Sequence, residues 1–287
     1  MATAYGSTTS ATDTHGGGTD SITINKPAST TSGDLLIAVV GINGNGADYT
    51  SSGWTILNTA NDGNNWGLRI LYKIAGGSEP ASYDFSCSGD GGDGMAGFIT
   101  RITGASFSGS GNLLSSIDLN TSANTNHTFT PGITPQVTNS IYILGCFTRG
   151  QASNVNSYAI ANNNPTWTER VDVSSGAPTE DVAIAYATAT PSSASASGDF
   201  SLNLGVSPFE AGGFIINVTE SVNIEATPSV MNATFTVQNT SISGGANISA
   251  TTNTGTFSVQ DPTITANTSP WTNDTKNTST WTNDSKS

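Results

Sequence analysis

Hydrophobic residues recur along this chain with a period of two, in short runs separated by glycine, asparagine and aspartate. In LRILYKIA (68–75), Leu68, Ile70, Tyr72 and Ile74 alternate with Arg69, Leu71, Lys73 and Ala75, which predicts a strand with one solvated face. VAIAYATA (182–189) sets Val182, Ile184 and Tyr186 on one face and alanines on the other. LLIAVV (35–40) is apolar throughout, as a central strand covered on both sides would be. The intervening stretches GINGNGADYTSSG and NTANDGNN supply turns and positive-φ positions. No segment carries the periodicity of an amphipathic helix, so the pattern predicts an all-β protein of antiparallel strands.

The runs also repeat. SGDLLIAVVGING (32–44), Trp54, WGLRILYKIAGG (66–77), ASYDFSCSG (81–89) and GMAGFITRITG (94–104) form a first pass. TNSIYILGCFTRG (138–150), Trp167, DVAIAYATA (181–189), SGDFSLNLGV (197–206) and EAGGFIINVTE (210–220) form a second. Trp54 matches Trp167, Tyr72 matches Tyr186, Phe85 matches Phe200, and Gly97-Phe98-Ile99 matches Gly213-Phe214-Ile215, at offsets of 113, 114, 115 and 116. Four matches in order, with a small drift from loop length, argue for two related halves. These halves are about 21–110 and 111–220. Their apolar faces pressed together predict one β-sandwich or jelly roll over 21–220, with two separate small sandwiches as the other arrangement. Residues 1–20 read as a flexible leader.

Beyond Glu220 the character changes. ATFTVQNTSISGG (233–245) recurs as GTFSVQDPTITAN (255–267), and Trp-Thr-Asn-Asp followed by Ser or Thr and Lys occurs twice near the end. Phe235, Phe257, Trp271 and Trp281 stand in polar sequence too poor in apolar residues to build a core of its own. Either 221–287 is a disordered tail, or these aromatics are buried by strand addition to a partner or by identical tails. The second reading makes them assembly residues of a homo-oligomer.

Composition narrows the function. Charged residues are 10% of the chain and the net charge is −13, with only eight Lys and Arg among 287 residues. No basic stripe is available to neutralise phosphates or anionic lipid, which argues against nucleic acid or membrane as partner. Ser, Thr, Asn and Gly carry the surface polarity, a composition that suits proteins persisting outside cells. The first residues, MATAYGSTTSATDTHGGG, lack the basic and apolar segments of a secretion signal, and no run approaches the ~18 apolar residues of a membrane span. The Asn-x-Ser/Thr sequons, among them Asn120, Asn217, Asn232 and Asn273, are what an Asn/Thr-rich chain produces without selection. An outward-facing surface without an export signal leads to the expectation of a viral structural protein, made in the host cytoplasm and released by lysis. The two cysteines, Cys87 and Cys146, read as buried free thiols, with a single bridge as the alternative.

Candidate chemistry is sparse. His15 and His127 lie in no nucleophile or metal motif, and no spacing singles out a carboxylate pair among Asp90, Asp93, Glu180, Asp181, Asp199 and Glu210. The chain is therefore expected not to be an enzyme, and no cofactor is called for. Asp90 and Asp93 on the glycine loop CSGDGGDGM offer hard oxygen ligands that suit calcium, although turn chemistry explains Asp-Gly equally well. Trp66, where an Asn-rich loop meets a strand, would stack on a sugar ring if exposed, with Tyr49 and Tyr158 as further candidates for a glycan site. Core packing is the competing role for Trp66.

The order GDLLIAVV, GW, LYKIAGG, EPASYDF and AGFITRITGAS resembles a jelly-roll domain of tailed-phage structural proteins, those of tails, fibres and virions. The resemblance spans roughly 21–220 and rests on Gly33-Asp34-Leu35-Leu36, Trp54, Tyr72-Lys73, Glu79-Pro80, Tyr83 and Ala96-Gly97-Phe98. The two tail repeats are similar to the C-terminal tails of such proteins. It implies a virion protein displayed as a head decoration, fibre or tail-fibre component, with other virion proteins and host-surface glycans as partners. None of its motifs is catalytic. A carbohydrate-binding, lectin-like adhesin is the alternative that the same sequence admits.

Overall fold

The computed structural model describes residues 3–13, 20–44, 50–61, 66–87, 94–104, 107, 109–120, 124–135, 140–149, 155–175, 182–205 and 210–219. Seven strands come first: β1 (Ala4–Asp13), β2 (Asp20–Asn25), β3 (Leu35–Ile42), β4 (Thr55–Asn61), β5 (Gly67–Ile74), β6 (Ser82–Cys87) and β7 (Met95–Thr103). A single 3₁₀ turn at Ser110–Asn112 leads into β8 (Leu113–Asn120), β9 (Asn126–Phe129), β10 (Ile141–Arg149) and β11 (Val155–Ile160). β12 (Thr168–Ser174), β13 (Val182–Ala189), β14 (Phe200–Leu204) and β15 (Glu210–Val218) complete the described residues. The protein is all-β and its strands pair antiparallel, as the alternation predicts.

Two five-stranded sheets run β1-β7-β3-β5-β4 and β12-β13-β10-β15-β8. A two-stranded sheet pairs β2 with β6, and a three-stranded sheet runs β11-β14-β9. The apolar clusters define four layers. One cluster (Ile37, Val39, Phe98, Phe147, Ile184, Phe214) lies between the two large sheets. A second (Ile24, Val40, Phe85, Ile99) joins β2-β6 to the back of the first large sheet, and a third (Leu144, Ala185, Phe200, Ile215) joins β11-β14-β9 to the back of the other. Both large sheets are thus covered on both faces, which is why β3 and β13 contain no exposed residue. The described strands all belong to one compact unit, Met1–Asn223.

Each pair of strands facing across the central interface has an identifiable contact. The Arg170 guanidinium of β12 sits 3.9 Å from the centre of the Tyr5 ring of β1. Phe98 of β7 stacks on Tyr186 of β13 with centroids 4.0 Å apart. Phe147 of β10 fills the space above Gly41 of β3, and Trp66, just before β5, lies on Gly212 of β15. The Asn58 side chain of β4 donates to the Ser115 hydroxyl of β8 at 3.3 Å.

Two expectations need correction. Residues 4–13 of the expected leader form β1, paired along β7 from Ala4–Thr103 to Asp13–Met95. Their sequence, AYGSTTSATD, is nearly all small or β-branched polar residues, which fit a half-exposed edge but leave little apolar alternation to read. The Thr8 hydroxyl donates to the Ile99 carbonyl at 2.9 Å and secures the edge. In β5, the expected solvated face is instead covered: Leu71 is fully buried and Arg69 is buried, its Nε donating to the Thr59 hydroxyl at 3.1 Å. The cause is the second layer of sheet, which periodicity alone cannot announce. The expectation of buried free thiols stands, Cys87 and Cys146 lying in different core clusters.

Candidate functional site

The polar side chains with the most developed surroundings are those that carried the resemblance. Asp34 precedes β3 in a turn where Gly33 takes φ +92°, a conformation that favours glycine. The Asp34 carboxylate accepts from the Thr31 N–H at 2.7 Å, the Thr31 hydroxyl at 3.0 Å and Arg101 Nε at 2.7 Å. Burial pushes its pKa up, but these donors outweigh it and hold the carboxyl below its ordinary value. The start of β3 is thereby tied to the end of β7.

A second cluster lies at the same end of this sheet, where the end of β5 runs beside the start of β3. Glu79, in the β5–β6 connection, accepts from the Gly76 N–H and the Tyr83 hydroxyl, each at 2.6 Å, and pairs with Lys73 Nζ at 2.8 Å. Lys73 Nζ lies 5.3 Å from the centre of the Tyr83 ring. The Trp54 indole meets Tyr83 edge-on at 5.1 Å and Phe85 at 5.6 Å. Burial raises the Glu79 pKa, yet Lys73, Tyr83 and Gly76 together leave it lowered. Burial and the Glu79 carboxylate push the Tyr83 hydroxyl up, so it stays protonated as a donor.

A different arrangement surrounds Trp167. Its Nε1–H donates to Asn164 Oδ1 at 2.8 Å, and the ring lies 6.1 Å from Tyr142 and 6.5 Å from Tyr158. The Tyr158 hydroxyl donates to Glu169 at 3.2 Å, and Asp172 accepts from the Val155 N–H at 3.0 Å. Burial, with the Glu169 charge adding to it, raises the Asp172 pKa. Burial also raises the Cys146 thiol, with Asp172 beside it, so this sulfur is a packed thiol and not an activated one. His127 is fully buried, its Nε2 2.7 Å from the Asn124 carbonyl, and burial lowers its pKa. It is therefore neutral at pH 7 and packs flat against Phe129 at 5.9 Å.

Asp172 provides a test of this description. Because its folded pKa is raised, the folded state holds that proton more tightly than the unfolded chain does. The group's contribution to stability is therefore most favourable at low pH and declines as pH rises through the folded value. Asp172→Asn keeps an oxygen for the Val155 N–H and removes the charge. The variant is expected to be more stable by a few tenths of a kcal/mol at pH 7, the scale of one like-charge contact. Urea midpoints at pH 7 and pH 3.5 would check this, since the difference should shrink at the lower pH.

The sugar-stacking candidates do not fare well. Trp66 is 1% exposed and Tyr158 is 8% exposed. The indole lies between the large sheets, in space left by Gly212, where a Cβ would come within 2.5 Å of the ring. Tyr158 stands in β11 with its ring turned inward. Neither presents a face to a ligand. Tyr49, the calcium candidates Asp90 and Asp93, and the tail aromatics Phe235, Phe257, Trp271 and Trp281 lie outside the described residues. Among the described residues no group of three or more His, Cys, Asp or Glu is placed to hold a metal ion. The Glu79–Lys73–Tyr83 and Glu169–Asp172–Tyr158 groups were not legible as sites. The one available signal was Lys73 and Tyr83 flanking the turn that contains Glu79-Pro80.

Chemically, these groups fix strand ends and seal the small cores. Comparison with protein-family models, with curated proteins and with solved structures returns no match.

Proposed function

We propose that the chain is a non-enzymatic structural protein of a tailed-phage particle, displayed outward as a head decoration, fibre or tail-fibre component. In this reading the globular part consists of two related jelly-roll halves, and the repetitive tail from 221 onward anchors or multimerises it. The observation that carries the reading is the use made of the resemblance residues. Asp34, Trp54, Lys73, Glu79 and Tyr83 are all engaged in holding the framework, which supports reading the resemblance as one of architecture.

Strand pairing supports the duplication. β1 pairs with β7, β2 with β6 and β3 with β5, nested like a rolled hairpin, which is the winding of a jelly roll. β8 with β15, β9 with β14 and β10 with β13 repeat the nesting. Both β4 and β12 carry a bulge, between Ile56 and Asn58 and between Glu169 and Val171, just after Trp54 and Trp167. Phe98 lies opposite Val39 as Phe214 lies opposite Gly145. In this register Tyr72 corresponds to Thr188, so the Tyr72–Tyr186 match is displaced by two residues while the others keep their places.

Two measurements test the proposal. Antibodies raised against the chain, viewed by negative-stain microscopy on particles from the same source, are expected to label the particle exterior. Light scattering is expected to give a trimer or larger for the full chain. Label confined to non-particulate material would overturn the virion assignment, and a strictly monomeric chain would overturn assembly through the tail.

A further inference from the structure

We infer that the two large sheets meet across an internal two-fold axis, so that the halves face each other through equivalent surfaces, and that Gly41 against Phe147 commits the unlike halves to each other. The inference rests on the two-halves reading above.

The facing strands carry it. β1 faces β12, β7 faces β13, β3 faces β10, β5 faces β15 and β4 faces β8, each through a contact already described. Replacing every strand by its counterpart in the other half turns β1 over β12 into β8 over β4. It turns β7 over β13 into β15 over β5, and leaves β3 over β10 unchanged. The set of contacts maps onto itself. A two-fold axis does this, as in a symmetric homodimer. Because the strand order reverses across the interface, the axis runs between β3 and β10, parallel to them.

On such an axis, equivalent residues meet one another. Val39 and Gly145 are equivalent through Phe98 and Phe214, and two residues further along the strands come Gly41 and Phe147. These two are in contact: a Cβ on Gly41 would lie 2.2 Å from the Phe147 ring. Phe98 and Phe214 approach across the same axis, with centroids 6.0 Å apart. Two copies of the first half would set glycine on glycine and leave a void. Two copies of the second half would set phenylalanine on phenylalanine in space that does not admit both. Only the unlike pair packs, so the surface specifies its partner by a device that excludes the alternatives.

The test exchanges the two residues in the full chain. Gly41→Phe alone overfills the interface and Phe147→Gly alone empties it. Each is expected to lower the melting temperature by on the order of 10 °C. The double variant Gly41→Phe/Phe147→Gly should recover more than half of the summed loss, since an axis makes the two positions interchangeable. A double variant that melts no higher than the worse single, or that does not fold when Phe147→Gly does, overturns the assignment. A crystal structure of the full chain gives the second readout by superposing residues 35–103 on 141–218. A rotation close to a half-turn is expected. A strand-for-strand match at another angle would remove the axis and leave the related halves intact, whereas no such match would remove the related halves themselves.

Discussion

Trp66→Ala is expected to destabilise the protein by about 3–5 kcal/mol, the range for deleting a large buried aromatic, and to lower its melting temperature by on the order of 10 °C. The indole is 1% exposed and fills the space over Gly212, with the Phe147 ring at 6.1 Å and tilted. Gly212 and Phe147 belong to β15 and β10, so relaxation into the cavity would require a large sheet to move, and little of the loss can be recovered by local collapse. Gly212→Ala attacks the same contact from the opposite side. Its Cβ would sit 2.5 Å from two carbons of the indole, and overpacking of this kind costs about 1–3 kcal/mol. Urea denaturation of both variants checks the pair. A sugar-stacking tryptophan would behave in the opposite way, with unchanged stability and lost affinity for a glycan.

The same residue marks where the sequence can and cannot be read. Faces of strands are local properties. Val182, Ile184 and Tyr186 do share one face toward the central interface, and Ala185 and Ala187 share the other. The unbroken apolar run of β3 does lie in a sheet covered on both sides. Trp54 and Trp167 each stand just before a bulged strand. What fills the space beside a residue is not local. Trp66 follows an Asn-rich loop and looks exposed, yet a glycine in a strand of the facing sheet makes room for it. Arg69 sits in the polar phase of its strand, yet a hydroxyl on the neighbouring strand satisfies it in a buried position. β1 is hidden from the sequence pattern for a different reason. Its hold on β7 comes from backbone pairing and threonine hydroxyls, which leave no hydrophobic signature. The ionisable groups around Glu79 and Asp172 come together through turns and a bulge, whose geometry no spacing rule describes.

Glu79→Ala is expected to have the largest effect of any charged-residue substitution in the first half, about 2–4 kcal/mol at pH 7. The Glu79 side chain is 6% exposed and answers three donors at once, from Lys73, Tyr83 and the Gly76 N–H. Removing one member of a buried pair leaves its partners without compensation, and that penalty exceeds the modest net value of the contact. Lys73 is 19% exposed and can turn to water, which keeps the loss toward the lower end. Tyr83 cannot follow, because Trp54 holds its ring. The pH dependence has a definite sign. The folded pKa of Glu79 is lowered, so its contribution is present in full above the ordinary carboxylate value of about 4.3 and fades as pH falls through the folded value. The gap between wild type and Glu79→Gln in urea should therefore be widest near neutrality and close as the pH drops below about 4. Adding Lys73→Met to Glu79→Ala separates the ion pair from the rest of the cluster. If Lys73 supplies most of the stabilisation, the double variant should be little worse than Glu79→Ala alone. If the Tyr83 and Gly76 bonds dominate, the two losses should add. The depth of burial around Tyr83, set against the partial exposure of Lys73, favours the second outcome, in which Glu79 and Tyr83 act as a clamp on a turn.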